Sequence, residues 1–120
     1  MKFCWVTISV QDMKKSLDFY QNIVELTISE RLNPGEGMEI VFLGDGETKV
    51  ELLYNPKHPK IENPQGISLG FEVDSLDQQL KLIKEQGIGV TGGPYQPNPN
   101  TKFFFVRDPN GVSIQFVERN

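Results

Sequence analysis

The sequence contains two copies of one pattern, and this repeat constrains the fold more than any other feature. When Val10 is aligned with Val73, the apolar positions that follow also coincide. Each aligned pair is 63 positions apart, namely Met13 with Leu76, Leu17 with Leu80, and Tyr20 with Ile83. Each copy has the pattern of a strand, a helix and three further strands. This predicts an α+β fold in which an amphipathic helix covers one face of each sheet and leaves the other face open.

The elements of each copy follow from hydrophobic periodicity and capping signals. In the first copy, FCWVTISV alternates like a strand, Asp12 predicts the N-cap of a helix that runs to about Val24, and LTISERL, MEIVFLG and KVELLYN predict three strands. In the second copy, GISLGFEVD predicts a strand, and Ser75 with Gln78 forms a capping box for a helix that Gly87 ends. The runs IGVTG, KFFFVR and VSIQFVE predict the last three strands.

The segment between the copies predicts a linker. It has the sequence NPKHPKIENPQ, which combines three prolines with charges of both signs. We therefore predict a single domain, 1–120, with modules at roughly 1–55 and 66–120 and a linker at 55–65. The only histidine, His58, lies in this linker and is expected to be a solvated loop residue.

Composition excludes several classes of function. The net charge is −4, and the 12 Lys and Arg residues are scattered, so we expect no nucleic-acid partner. The single cysteine, Cys4, forms no internal disulfide or thiolate cluster and is expected to be a small buried residue. Because no apolar run approaches the roughly 18 residues of a membrane helix, we expect no membrane partner and a cytoplasmic location.

Strand alternation predicts which side chains lie on the open faces. They are Trp5, Thr7, Ser9, Lys49, Glu51 and Leu53 in the first copy, and Ser68, Gly70, Glu72, Ser113, Gln115 and Val117 in the second. Four-residue loops at DPNG and GDGE add further open-face residues. The predicted cross-strand pairs are Phe104 with Gln115, Val106 with Ser113, Ile40 with Glu51, and Phe42 with Lys49. Large apolar groups mixed with a few polar ones are typical of a small-molecule pocket.

The sequence resembles the vicinal oxygen chelate superfamily, which contains glyoxalases, bleomycin resistance proteins and extradiol dioxygenases. The resemblance covers nearly the whole chain and rests on VTISVQDMKKSLDFYQNIVEL, VELLYN, GISLGFEVDSLD and FFFVRDPNGVSIQFVE. It implies two tandem βαβββ modules, whose curved sheets enclose a cup with the helices on the outer face. It also implies a homodimer.

The resemblance further implies four positions for the ligands of a divalent metal. In this sequence they are occupied by Trp5, Glu51, Ser68 and Gln115, and only Glu51 is a ligand of the usual kind. An indole has no lone pair to donate, and a serine hydroxyl is a poor ligand for zinc, nickel or cobalt. We therefore expect no cofactor and no metal, with weak Mg²⁺ binding by Glu51, Gln115 and waters as the alternative.

The first functional hypothesis is a metal-independent protein that binds a small molecule in an aromatic-lined cup. The expected ligand-binding residues are Trp5, Thr7, Ile40, Phe42, Glu51, Ser68, Phe104 and Gln115. The alternative is a glyoxalase-like lyase or isomerase, similar to lactoylglutathione lyase, in which Glu51 is the catalytic base. That reaction also needs a cation to stabilise an oxyanion, for which Lys49, Lys102 and Arg107 are the candidates. A third hypothesis is a dimerisation domain in which Trp5 fills the cup or packs against another subunit.

Overall fold

A computed structural model of the chain describes residues 1–58, 62 and 64–120. These residues form two compact units, Met1–Glu62 and Asn63–Asn120. Part of the predicted linker, at 59–61 and 63, lies outside the described residues. Neither helix of the described part is long and apolar enough to cross a membrane.

Each unit is a βαβββ module. Unit 1 consists of β1 (Trp5–Ser9), α1 (Met13–Asn22), β2 (Ile28–Gly35), β3 (Met38–Leu43) and β4 (Lys49–Tyr54). Unit 2 consists of β5 (Ser68–Glu72), α2 (Leu76–Glu85), β6 (Gly92–Asn98), β7 (Thr101–Arg107) and β8 (Ser113–Arg119). The strand orders are β1-β4-β3-β2 and β5-β8-β7-β6. In each sheet the first strand is parallel to the last and the other pairs are antiparallel. The predicted pair of tandem α+β modules is thus confirmed.

Both helices begin at the predicted caps. The Asp12 carboxylate accepts a hydrogen bond from the Lys15 amide at 3.0 Å, and the Ser75 hydroxyl accepts one from the Gln78 amide at 3.2 Å. These bonds satisfy amide groups that a helix terminus leaves unpaired. The first helix ends at Asn22, two residues before the predicted end.

Each helix covers one face of its own sheet. The helices contact the last strand of their units, β4 and β8. In unit 1 the buried residues are mainly Ile8, Val10, Met13, Leu17, Tyr20, Val41, Leu43, Val50 and Leu52, and in unit 2 they are mainly Leu76, Ile83, Phe104, Val106, Ile114 and Phe116. Because buried and less buried residues alternate along the strands, the open face of each sheet lies opposite its helix.

The strand predicted at IGVTG, 88–92, is wrong. The Ile88 amide donates to the Ile83 carbonyl at 3.0 Å, so the segment begins by closing the end of α2. The actual strand, β6, is Gly92–Asn98 and contains Pro94 and Pro97. Prolines usually exclude a segment from a sheet, but β6 pairs only with β7, and an edge strand tolerates them.

Cys4 was predicted to be buried, and alternation in the predicted strand GISLGFEVD places Ile67 on the core face opposite Ser68, but both residues are exposed. Ile67 is 70% exposed, and Cys4 is also exposed. They occupy equivalent positions in the repeat, each immediately before the first strand of its unit, which begins at Trp5 or Ser68. Since the strands begin one residue later, sheet alternation does not direct these side chains to the core.

The predicted register of β7 and β8 is wrong by one residue. Phe104 pairs with Phe116, and Phe105 pairs with Gln115. The predicted pair of Val106 with Ser113 is wrong for the same reason, because Val106 pairs with Ile114. A shift of one residue exchanges the two faces of a strand. Phe104 is therefore fully buried on the α2 side and does not lie on the open face.

The side chain of Asp108 explains this register. Its carboxylate accepts hydrogen bonds from the amides of Asn110 and Val112, both at 2.8 Å. Val112 therefore belongs to the turn, and the connection is five residues long, 108–112, rather than four. Asp108 is only 5% exposed, so the turn is anchored by a buried carboxylate with satisfied hydrogen bonds.

The predicted register of β3 and β4 is wrong by two residues. Phe42 pairs with Glu51 and Ile40 with Leu53, because the last pair of the ladder is Leu43 with Val50 and six residues, 44–49, lie between these two instead of four. A shift of two residues changes the neighbours but preserves the face. Ile40 and Phe42 therefore lie on the open face of unit 1, as predicted, with different partners.

The register of β7 predicts a large difference between adjacent phenylalanines. Phe104→Ala removes a fully buried ring and should lower the free energy of unfolding by about 3–5 kcal/mol. Phe105→Ala removes a half-buried ring on the open face and should lower it by about 1 kcal/mol. Urea denaturation followed by circular dichroism measures both values. Equal losses, or a larger loss for Phe105→Ala, would contradict the register.

Candidate functional site

The open face of unit 1 brings together several of the predicted site residues. Strand pairing places Glu30 beside Phe42, Phe42 beside Glu51, and Glu51 beside Thr7. We call this line of side chains across the sheet the Glu30–Thr7 row. A neighbouring row, the Leu32–Ser9 row, consists of Leu32, Ile40, Leu53 and Ser9. Aromatic and aliphatic surface thus lies beside two carboxylates.

Trp5 lies on this open face and is 51% exposed. Its ring packs edge to face on Phe42, with ring centroids 5.4 Å apart and an interplanar angle of 73°. This is a favourable geometry for an aromatic pair, and it leaves much of the indole surface available for contact. Trp5 is therefore partly packed against the sheet and partly exposed to solvent.

The carboxylate of Glu51 has a defined orientation. The Thr7 hydroxyl donates a short hydrogen bond to Glu51 Oε1. The two residues are direct neighbours in the parallel pair of β1 and β4, so the backbone holds both partners of this bond in place. Among the described residues, no cation lies within ion-pair distance of Glu51.

The three cations predicted to stabilise an oxyanion have other partners. Lys49 Nζ donates to the Gly44 carbonyl at 2.6 Å. Lys102 lies 3.8 Å from Glu118, and strand alternation places it on the α2 side of its sheet. Arg107 Nη1 donates to the Gly111 carbonyl at 2.8 Å. None of these contacts directs a cation at Glu51.

The open face of unit 2 carries an aromatic cluster that the sequence analysis missed. Tyr95 packs against Phe103 with ring centroids 5.6 Å apart, and Phe103 packs against Phe105 at 5.7 Å. Gln115 is the neighbour of Phe105. The run FFF in the sequence indicated aromatic residues on this strand. The predicted four-residue turn, however, placed the central ring on the open face instead of the outer two.

The polar residues on the open face of unit 2 include Gln115, Ser68 and Glu72, and each of these three has a different neighbour. A Cβ atom at Gly70 would lie 3.3 Å from Gln115 Oε1, so the glycine leaves room for the amide. Ser68 is exposed at the start of β5 and pairs with Ser113. Arg119 donates a 2.6 Å hydrogen bond to Glu72, and this bond with the nearby negative charge raises the pKa of Arg119 above its usual range.

A separate cleft of about 640 Å³ lies on the helix side of unit 1. Residues from α1 and its N-terminal turn line one wall, and Arg31, Glu39 and Tyr54 from the sheet line the other. Since Trp5 and Glu51 point to the opposite face, this cleft contains none of the predicted site residues.

The residues at the four implied metal positions do not match a divalent metal site. Considered unit by unit, these positions hold an indole and one carboxylate in unit 1, at Trp5 and Glu51, and a hydroxyl and an amide in unit 2, at Ser68 and Gln115. First-row metals prefer several imidazole, thiolate or carboxylate donors. No group of three or more His, Cys, Asp and Glu side chains is close enough to hold a metal within 1–58, 62 and 64–120.

Comparison with known proteins gives concordant matches along the chain. Residues 2–116 match the family model of the glyoxalase/bleomycin resistance protein/dioxygenase superfamily. A lactoylglutathione lyase of Neisseria meningitidis is 30% identical over 99% of this chain and 91% of its own. The trypanothione-dependent glyoxalase I of Leishmania major has a TM-score of 0.83 at 20% identity, over 98% of this chain and 86% of its own. TnmS3, an antibiotic-binding protein from Streptomyces, has a TM-score of 0.73 at 21% identity, over 100% of this chain and 97% of its own.

The donor set predicts that the protein is purified without stoichiometric metal. Elemental analysis of protein prepared without added metal should find far less than one ion per chain, since neither an indole nor a serine replaces an imidazole ligand. A thermal-shift series with Ni²⁺, Zn²⁺, Co²⁺, Mn²⁺ and Mg²⁺ should show no stabilisation that Glu51→Ala abolishes. A stoichiometric metal content, or stabilisation lost in this variant, would contradict the prediction.

Proposed function

The chain belongs to the glyoxalase/bleomycin resistance protein/dioxygenase superfamily, and from this premise we propose that it binds a small amphipathic molecule without a metal. The observation that carries the proposal is the environment of Trp5. The resemblance implies a metal-ligand position at Trp5, and the indole found there is half exposed on the open face of unit 1. At this position the side chain therefore offers an aromatic surface for contact with a ligand instead of a donor atom for a metal.

The neighbours of Trp5 support a binding role. A half-exposed tryptophan provides a large apolar area to a ligand and loses little conformational freedom on binding, because its ring already packs on Phe42. Glu51, held by Thr7, supplies one directional polar group beside this surface. A mainly apolar surface with a few fixed polar groups is the usual composition of a small-molecule site.

For the open face of unit 2, considered by itself, the predicted ligand-binding residues are corrected. Phe103 and Phe105 take the place of Phe104, which is buried. Gln115 has both a donor and an acceptor beside Phe105, so it is suited to orienting a polar group of a ligand. Ser68 remains a secondary polar candidate because its hydroxyl is exposed.

Fluorescence of the only tryptophan provides the direct test of this function. We expect a screen of amphipathic aromatic compounds to find ligands that change Trp5 emission and raise the melting temperature. For such ligands, Trp5→Ala should weaken the affinity measured by calorimetry by about tenfold, since hot-spot aromatic residues contribute energies of this order.

Phe3→Ala is the matched control for this test. Phe3 is 67% exposed but precedes β1, so its loss should leave the affinity unchanged. Equal effects of Phe3→Ala and Trp5→Ala, or the absence of any ligand in a broad screen, would contradict the proposed function.

A second candidate function is a glyoxalase-like lyase or isomerase. Two observations favour it: the 30% identity to a lactoylglutathione lyase over almost the whole chain, and the carboxylate of Glu51 fixed on the open face. A base of this kind removes a proton next to a carbonyl, which creates an oxyanion that needs stabilisation. The contacts of Lys49, Lys102 and Arg107 provide none, so we rank this function second.

Substitution of Glu51 separates the two functions. If the protein is a binding protein, the wild type should not isomerise the hemithioacetal of methylglyoxal and glutathione, and Glu51→Gln should change ligand affinity only modestly. If the wild type does isomerise this substrate and Glu51→Gln abolishes turnover while binding persists, the enzyme function replaces our proposal. Glu47→Gln is the control, because Glu47 is an exposed loop residue paired with Lys2.

The assembly and location remain predictions. The resemblance implies a homodimer and a cup, and the composition suggests the cytoplasm, without nucleic-acid or membrane partners. Light scattering coupled to size-exclusion chromatography measures the assembly directly.

A further inference from the structure

The Glu30–Thr7 row indicates the chemical class of the ligand. Resting on the proposed binding function, we propose that the ligand is an amphipathic cation whose charged group lies over Phe42, between the carboxylates of Glu30 and Glu51. Its apolar body would contact Trp5 and the Leu32–Ser9 row. Glu30 was not among the residues predicted from sequence, because its place on this face depends on the pairing of β2 with β3.

The register of three strands provides the geometry. Glu30 on β2 and Glu51 on β4 both pair with Phe42 on β3, one from each side. All three side chains point to the same face, and the two carboxylate-bearing strands are roughly 10 Å apart, twice the usual strand spacing. A cation placed over Phe42 therefore has a carboxylate on each side and an aromatic ring beneath it.

The carboxylates of this face have no basic partner in the part of the chain that the structure describes. Among the described residues, no Lys or Arg lies within ion-pair distance of Glu30 or Glu51. Lys49, the one basic residue that alternation places on this face of β4, turns its ammonium to the Gly44 carbonyl. The face thus carries two carboxylates, and its one ammonium group is directed at a backbone carbonyl. This excess of negative charge attracts cations and repels anions.

The aromatic pair adds a second attraction for a cation. The face of an aromatic ring interacts favourably with an ammonium group, most strongly for tryptophan. Trp5 packs edge to face on Phe42, so the two rings are steeply inclined to each other. A ligand over Phe42 can therefore contact Phe42 from above and Trp5 from the side. The apolar residues Leu32, Ile40 and Leu53 lie next to the position proposed for the cation over Phe42. They provide apolar contacts for the hydrocarbon part of the ligand.

The same geometry argues for an organic cation over a metal ion. Oxygen ligands of Ca²⁺ or Mg²⁺ lie about 2.0–2.6 Å from the ion, and the site needs six or more of them. Glu30 and Glu51 lie on strands separated by β3, with a phenyl ring between them. An ammonium group with its hydration shell and attached carbon body is suited to this wider spacing, since it needs no close coordination.

A series of three similar compounds tests the inference. Phenethylamine is protonated at neutral pH, phenethyl alcohol is its neutral counterpart, and phenylacetate is an anion with the same ring. We expect the amine to bind more tightly than the alcohol by about three- to tenfold, and the anion to bind most weakly, as measured by Trp5 fluorescence and calorimetry. Added salt should weaken binding of the amine and leave binding of the alcohol unchanged.

Two variants test the role of the carboxylates. Glu30→Gln combined with Glu51→Gln should bring the affinity for the amine down to that for the alcohol, with the affinity for the alcohol retained. The control pair, Glu36→Gln with Glu47→Gln, removes two exposed carboxylates that pair with Lys57 and Lys2 and lie away from the row. This control should preserve the preference for the amine.

The outcomes distinguish the inference from the function on which it rests. Equal affinities for amine and alcohol in the wild type, or a preference that survives in the Glu30 and Glu51 double variant, would overturn the cationic ligand while leaving small-molecule binding intact. If none of the three compounds binds at millimolar concentration, both the inference and the proposed binding face are contradicted.

Discussion

The parallel pairing of the first strand with the last strand in each unit determines where the candidate site residues lie. In unit 1 this pairing makes Thr7 the neighbour of Glu51, although 43 residues separate them in the chain. The connection between two parallel strands cannot be a tight turn. In each unit the helix and the two middle strands form this connection. The helix then covers one face of the sheet, and the side chains that alternate with the core residues remain on the other. The hydrogen bond between Thr7 and Glu51 is a local consequence of this topology.

Elements with strong periodic patterns were predictable, and connections were not. The repeat, the caps at Asp12 and Ser75 and the core faces of β1, β4 and β8 followed from sequence, because hydrophobic alternation reports directly on burial. The registers of both hairpins did not follow, because a loop length depends on which residue last joins the ladder. At one turn, this depends on hydrogen bonds accepted by Asp108, which no periodicity reveals. The candidate site was predicted in part: Trp5, Thr7, Phe42 and Glu51 lie together on one face, whereas Glu30, Phe103 and Phe105 required the observed pairing.

Binding and catalysis on this fold differ in what surrounds one carboxylate. A catalytic base needs a partner that accepts the charge developed on the substrate, and a binding site needs only complementary surface. Around Glu51 the described residues supply the surface, in the form of Trp5 and Phe42, and the nearby ammonium of Lys49 is bound to a backbone carbonyl. A fold alone does not decide function, so these individual contacts are the basis for ranking binding above a lyase or isomerase.

The anchored turn at Asp108 has a consequence for the aromatic surface that the second unit displays. The run of three phenylalanines in β7 can satisfy the core in either register, because each register buries at least one ring. Turn length therefore selects whether one aromatic ring or two are displayed on the open face, without any substitution in the strand itself. A single inserted or deleted residue at this hairpin would therefore change which rings lie on the open face, with the hydrophobic composition of the sheet unchanged. The length of this turn is thus a second determinant of the aromatic surface of the module, besides the identity of the strand residues.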